Sequence, residues 1–185
     1  MAKFVYILAG PNGSGKSTFH KGNFSHLPFI NPDLLQQGLP PNTPSPEIAA
    51  GRLALAEIQK RFLGDTDFVV ETTLTGNAER RLFEQATHYG WEIKLHYVCL
   101  STLDEHIHRI EQRFQNHGHY IPAEVVARRY ERSLENLPKV LPKADTAWLY
   151  DNSSRTGFEV VAKLKGGQVV YQCEPLPAWA KRVLR

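Results

Sequence analysis

The stretch "AGPNGSGKST", Ala9 to Thr18, limits this chain more than any other. It follows the apolar run of residues 4–8 and contains G-x-x-x-x-G-K-S from Gly10 to Ser17. A strand delivers the chain to Gly10, and the glycines at 10, 13 and 15 let the backbone close around an anion. Their N–H groups turn inward, and the next helix adds its positive end. Lys16 reaches the β- and γ-phosphates of a nucleotide, and Ser17 offers its hydroxyl to Mg²⁺. The expected nucleotide site is therefore the whole run of Gly10, Pro11, Asn12, Gly13, Ser14, Gly15, Lys16, Ser17 and Thr18. The pattern leaves open whether the phosphate is fuel for a motor or a group for transfer.

Composition narrows the setting. With 185 residues, 42% hydrophobic and 22% charged, the chain reads as one domain, 1–185, large enough for a real core. A net charge of +3 is too small to argue for a nucleic-acid or membrane partner. No apolar run approaches the length of a membrane span, and the opening one feeds the loop rather than acting as a leader. Cys99 and Cys173 lie far apart and form no metal-ligand pattern. Cys99, inside "LHYVCL", reads as a buried thiol, and a cytoplasmic location is the expectation.

Further along, a helix starts at Lys16 and fades at Gly22, and "LPFIN" reads as a short strand. "PDLLQQGL" is a turn with a helical start, and the prolines of "PPNTPSP" exclude regular structure. Residues 47–63 read as a helix with Ile48, Leu53, Leu55, Ile58 and Phe62 on its apolar side. "DFVVETTL" is a strand with a polar end, "GNAERRLFEQATHYG" a helix and "EIKLHYVCL" another strand. Thr102 and Glu105 form a capping box for a helix with Leu103, Ile107, Ile110 and Phe114 on its apolar face. "NHGHYI" interrupts, and Pro122 opens a helix running to about Leu137. "TAWLYDNS" is a strand, "FEVVAKLKGGQVVYQCE" a hairpin through Gly166 and Gly167, and "AWAKRVL" a terminal helix.

Strands alternating with helices predict an α/β fold: a parallel sheet with helices on both faces, here with a C-terminal β-hairpin. Ligands gather at the carboxyl ends of such strands. Those ends carry the phosphate loop, Asn31-Pro32-Asp33, Glu71-Thr72-Thr73, Ser101-Thr102 and Asp151-Asn152-Ser153. Nearly all of these residues are polar, which marks a site.

A transporter-type or chromosome-type motor also needs a glycine-rich signature segment and four apolar residues followed by Asp-Glu. Neither occurs; "DFVVETTL" supplies Glu71 followed by threonines. A small-molecule kinase needs a base, groups that orient the acceptor, and a cationic lid. Asp33 suits the base, and a helix cap ahead of "LLQQ" is its competing role. Glu71, Thr72 and Thr73 suit the acceptor, against a glutamate paired internally. The lid candidate spans about 113–129, between two helices carrying arginines, with its mobile part at 115–121. His106, Arg109 and Arg113 share one helical face, and Arg128, Arg129 and Arg132 follow; a solvated basic face is the alternative. His117 and His119 lack a third metal ligand.

"GPNGSGKST", "INPD", "ETTLTG", "QNHGHYIPAEVVARRYERSLENL" and "ADTAWLYDNS" together resemble the zeta-toxin-like P-loop kinases, in their short branch also labelled predicted ABC-type ATPases. The resemblance covers Lys3 to about Ser153. It implies an adenylate-kinase-like fold, ATP and Mg²⁺, and phosphorylation of a sugar hydroxyl of UDP-N-acetylglucosamine. It also implies a small antitoxin that obstructs the nucleotide site; because the chain begins at the first strand, that antitoxin is expected to be separate. Position by position, the catalytic aspartate falls on Asp33, and the substrate element on Glu71 and Thr73 with Thr72 in place of glycine. The lid arginines fall among Arg113, Arg128 and Arg129. Arg80 and Arg81, just after Thr73, are placed to hold a diphosphate, with Arg80 the candidate substrate contact. A kinase for a free metabolite of the gluconate or shikimate type, or a regulatory or motor ATPase, are the alternatives.

Overall fold

The computed structural model describes residues 2–76, 78–115 and 121–184. Of the expected mobile lid segment, 115–121, residues 116–120, with His117 and His119, lie outside the described residues. The strands are β1 (Phe4–Ala9), β2 (Phe29–Ile30), β3 (Phe68–Thr72), β4 (Glu92–Cys99), β5 (Thr146–Asp151), β6 (Glu159–Lys165) and β7 (Gln168–Gln172). The helices are α1 (Lys16–Asn23), α2 (Pro32–Gln37), α3 (Pro46–Phe62), α4 (Ala78–His88), α5 (Leu103–Gln115), α6 (Ala123–Val140) and α7 (Ala178–Val183). None of them is long and apolar enough to cross a membrane.

The strands form one sheet in the order β2-β3-β1-β4-β5-β6-β7. β2, β3, β1, β4 and β5 are parallel, and β6 and β7 add an antiparallel hairpin at one edge. β1 runs from Val5 opposite Phe68 to Ala9 opposite Thr72, with β4 on its other side. The chain leaves β1 towards β2 on one side and later crosses from β3 over to β4. The carboxyl end of β1 is therefore the switch point, where ligands bind in such sheets. The phosphate loop leaves from that point.

The two faces of the sheet are covered unequally. Val5, Ile7, Phe68, Val70, Ile93, Leu95, Ala147 and Leu149 form a large core beneath α3, α4, α6 and α7. The opposite face packs Leu8, Val69 and Val98 beneath Phe19 of α1 and Phe24 just after it. An aromatic layer extends this smaller core, with His96 stacked on Trp148 at 4.8 Å.

Three helices correct the sequence reading. α3 buries Ala50, Ala54, Ile58 and Phe62, a strict four-residue stripe, while Ile48, Leu53 and Leu55 are exposed. The large residues set the expected face, but helical phase puts the alanines against the sheet. On α5, His106 and Ile110 are buried and Phe114 is exposed. α6 passes through Pro138 to Val140, because Leu134, Leu137 and Val140 are all buried along it. Burying a leucine is worth about 1.5–3 kcal/mol, so this stripe offsets the cost of an internal proline, about 3 kcal/mol. The Thr102–Glu105 capping box forms in both directions, at 3.3 and 3.0 Å.

Candidate active site

The loop between β1 and α1 depends on glycine at two positions in particular. Gly10 has φ 143°, and a side chain there would run into the carbonyl of Val98. Gly15 has φ 100° and caps α1 with no room beside the amide of Asn152. Lys16, 6% exposed, donates to the carbonyls of Gly10 at 2.8 Å and Pro11 at 3.0 Å. Its ammonium lies 3.9 Å from Glu71 Oε1. Burial lowers the Lys16 pKa, against the carboxylates of Glu71 and Asp33, which raise it, while Arg113 lowers it further. Burial likewise raises the pKa of Glu71, with Lys16 opposing.

Ser17 Oγ donates to Glu71 Oε2 at 3.4 Å. A hydroxyl and a carboxylate at the end of β3 thus meet beside the lysine that would hold phosphate. Both are hard oxygen donors, which fits a Mg²⁺ that takes few protein ligands and completes its octahedron with phosphate and water.

A second layer holds the loop in shape, and the sequence reading missed it. His106 is fully buried. Its Nδ1–H donates to the carbonyl of Asn12 at 2.7 Å, and its Nε2 accepts from the N–H of Leu100 at 3.2 Å. Burial holds its pKa down at about 4, so the ring is neutral. Asn152 donates to the carbonyl of Ser14 at 2.8 Å, and Arg109 donates to the carbonyl of Asn152 at 2.6 Å. His106 and Arg109 therefore face the loop instead of forming a solvated basic face. The only sequence signal was their helical spacing from Arg113.

The ends of β4 and β5 brace one another as well. Asp151 is buried and accepts from the indole of Trp179 at 2.8 Å, from Ser101 Oγ at 3.1 Å and from the N–H of Ser153 at 2.8 Å. Of the five strand ends expected to form one site, those of β4 and β5 reach the phosphate loop through Asn152 and, by way of His106, Leu100, and those of β1, β2 and β3 line one cleft.

Those three share a cleft of about 290 Å³, lined by Asn12, Asp33, Glu71, Thr73 and Arg129, among others. Its opposite wall is the α3 face of Gly51, Ala54, Leu55 and Ile58. Asn31, not Asp33, caps α2, accepting from the N–H groups of Asp33 at 2.8 Å and Leu34 at 3.4 Å. Asp33 is exposed in the cleft with its carboxylate released from capping.

Thr72 fixes the turn after β3. Its hydroxyl donates to Glu79 at 2.6 Å and accepts from the N–H of Leu74 at 3.0 Å. Leu74 has φ 59° and is buried, and its carbonyl accepts from the amide of Asn136 on α6 at 3.1 Å. Thr73 pairs hydroxyl to hydroxyl with Thr75 at 2.9 Å.

Neighbouring arginines separate. Arg129 lines the cleft and donates to Asn12 Oδ1 at 3.2 Å. Arg113, at the end of α5, is exposed but close enough to act on both Lys16 and Glu71. Arg128 is exposed and not among the residues lining the cleft. Arg80 lies outside it too, in a surface pair with Glu84 at 3.0 Å.

Comparison with known proteins agrees with this architecture. The family described as AAA domain matches residues 5–137. An uncharacterized protein of Haemophilus influenzae is 30% identical over 132 residues, 70% of this chain and 94% of that protein. The AvrRxo1-ORF1:-ORF2 structure with ATP superposes with a TM-score of 0.76 at 15% identity over 99% of this chain. This chain spans 64% of the length of that one. The structure of the PezAT chromosomal toxin-antitoxin system of Streptococcus pneumoniae gives a TM-score of 0.68 at 14% identity, covering 90% of this chain and 74% of that chain. With its phosphate loop at the switch point and a family match over most of its length, the chain belongs to the AAA-domain family and shares the fold of these two structures.

Proposed function

We propose that the protein is an ATP-dependent kinase that passes the γ-phosphate to a hydroxyl of a small acceptor, the sugar of a UDP-sugar such as UDP-N-acetylglucosamine. The observation that supports this reading is the shared cleft: Asp33, free of capping, lines it together with Glu71, which in turn lies against Lys16 and Ser17. Asp33 takes the proton of the acceptor hydroxyl as its oxygen bonds to the γ-phosphorus and the bond to the β–γ bridging oxygen breaks. Lys16 gives up its contacts to Gly10 and Pro11 for phosphate oxygens. Ser17, with Glu71 bonded behind it, would hold a Mg²⁺, which would supply charge neutralisation on the phosphates. Glu71 and Thr73 orient the acceptor's hydroxyls, and Arg129 and Arg113 approach the transferring group.

The carboxylates Asp33, Glu71 and Glu79 favour a hydroxylated acceptor over an acidic one, since like charges would meet in a partly dry site. Arg129 is the observation on the other side, because it gives a carboxylated metabolite one cation to meet. A separate antitoxin covering the nucleotide site is the partner expected on this reading. The deciding experiment incubates the protein with ATP, Mg²⁺ and panels of UDP-sugars and free metabolites, and reads products by mass spectrometry. A phosphorylated UDP-sugar supports the reading, and a phosphorylated acid metabolite replaces the acceptor. ADP release that no acceptor stimulates returns the protein to the motor or regulatory class.

A further inference from the structure

α3 carries a glycine that its own packing does not explain. Gly51 sits in the interior of this 17-residue helix, where glycine is less favourable than alanine because it gives up more backbone freedom and packs nothing. Helices keep such a glycine where another part of the fold presses close. Nothing presses here: a Cβ added to Gly51 would meet no atom within 4 Å. Gly22, the other glycine inside a described helix, lies in the last turn of α1, where the helix is ending.

Gly51 lines the acceptor cleft together with Ala54, Leu55 and Ile58. Spacings of three, four and seven residues put all four on one face of the helix. Ala54 and Ile58 are buried, while Leu55 stays 39% exposed and offers apolar surface to whatever enters. Across the cleft stand Asp33, Glu71 and Thr73. A space of about 290 Å³ is therefore apolar on one side and polar on the other.

We propose that Gly51 determines which acceptors fit: its missing side chain is the room taken by a ring-form sugar, which lies with its C–H face on α3 and turns its hydroxyls to Asp33, Glu71 and Thr73. This role rests on the kinase reading of the cleft and adds to it the shape of the acceptor. A sugar ring has an apolar face and a rim of hydroxyls, which matches the two walls. An open-chain polyol or sugar acid carries hydroxyls on every side, so some of them would meet Leu55 and Ile58 without a partner. A side chain at position 51 would occupy the ring's place. One carbon too many in such a pocket is worth about 10–200-fold in discrimination.

Calorimetry on the full chain, with ADP and Mg²⁺ in place of ATP, reads acceptor binding without turnover. The probes are N-acetylglucosamine, free and as its UDP conjugate, and the open-chain gluconate and sorbitol. The wild type should bind the ring forms more tightly. Gly51→Ala should weaken ring binding about tenfold and Gly51→Val about a hundredfold. Gly51→Ala should meanwhile raise the melting temperature by about 2–4 °C, because alanine suits an open helical position better. Gly22→Ala should leave acceptor binding unchanged. Variants of Gly51 that bind as the wild type does, or that lose stability along with binding, overturn the proposal. So does a wild type that binds ring and open-chain compounds alike, or binds neither. Phosphoryl transfer is scored separately. Ring binding that depends on Gly51 but yields no phosphorylated product removes the kinase reading and leaves Gly51 as the selector. A phosphorylated ring sugar with one KM in wild type and Gly51→Val keeps the kinase and overturns the role of Gly51.

Discussion

The imidazole of His106 on α5 donates to the carbonyl of Asn12 in the phosphate loop at 2.7 Å. Its other nitrogen accepts from the N–H of Leu100, so the ring bridges the loop to the end of β4 in a single neutral tautomer. His106→Ala would leave a buried carbonyl and a buried N–H without partners, each costing about 1–3 kcal/mol. Chemical denaturation should show a loss of about 2–6 kcal/mol on those grounds. Nucleotide titration should show weaker ATP binding. Unchanged ATP affinity alongside lost stability would confine His106 to folding.

Stability should fall as the pH drops from about 6.5 towards 4. His106 and His96 both have pKa values lowered to about 4 by burial, so between these limits the unfolded chain binds more protons. Their contribution is fully present above 6.5 and is lost as acid protonates the unfolded rings first. Each depression corresponds to about 3 kcal/mol. His96→Phe, which keeps a ring against Trp148, should flatten its share of the slope in denaturation measured across this window. An identical slope would sink the assignment.

Asp33 and Asn31 should behave oppositely. Asp33→Asn should cut turnover by about 10²–10⁴, the worth of positioned proton transfer, while leaving the melting temperature unchanged. Asn31→Ala removes the α2 cap and should cost about 1 kcal/mol of stability. Steady-state kinetics with thermal melts on both variants separates the roles. A destabilised Asp33→Asn with normal turnover would return Asp33 to a structural part.

Alanine at Arg129 should produce the severe loss among the lid arginines, up to about 10³–10⁵ in turnover if it stabilises transition-state charge. Arg128→Ala should be mild, because its side chain is exposed and outside the cleft lining. Arg113→Ala should also cost turnover, through its field on Lys16 and Glu71. Equal, mild losses at all three would make these arginines ordinary surface charges.

The loop motif and the alternation of strands and helices made the parallel sheet and its switch point legible from sequence. Strand ends placed Asp33, Glu71 and Thr73 in one cleft correctly, because strand direction alone puts them at one edge. The bracing layer was not legible, since His106 and Asn152 bond to backbone atoms that only the folded sheet brings near. Nor could spacing choose between Arg128 and Arg129. Neighbours on a helix point about a quarter-turn apart, and the sequence does not say which direction meets the loop. On α3 the alanines that touch the sheet carry little hydrophobic signal, so the larger leucines misdirected the face.

The amide of Asn136 on the Leu74 carbonyl makes α6 a beam that carries two loads along its length. Arg129 reaches the phosphate loop, and Asn136, about two turns further along, anchors the turn that presents Thr73. Leu74 is held there in left-handed backbone, a conformation that a non-glycine residue keeps only when its surroundings enforce it. A displacement of the beam therefore moves the arginine and the acceptor turn together. The two halves of the reaction share one mechanical support, and a substitution that loosens Asn136 would reach both substrates without touching either.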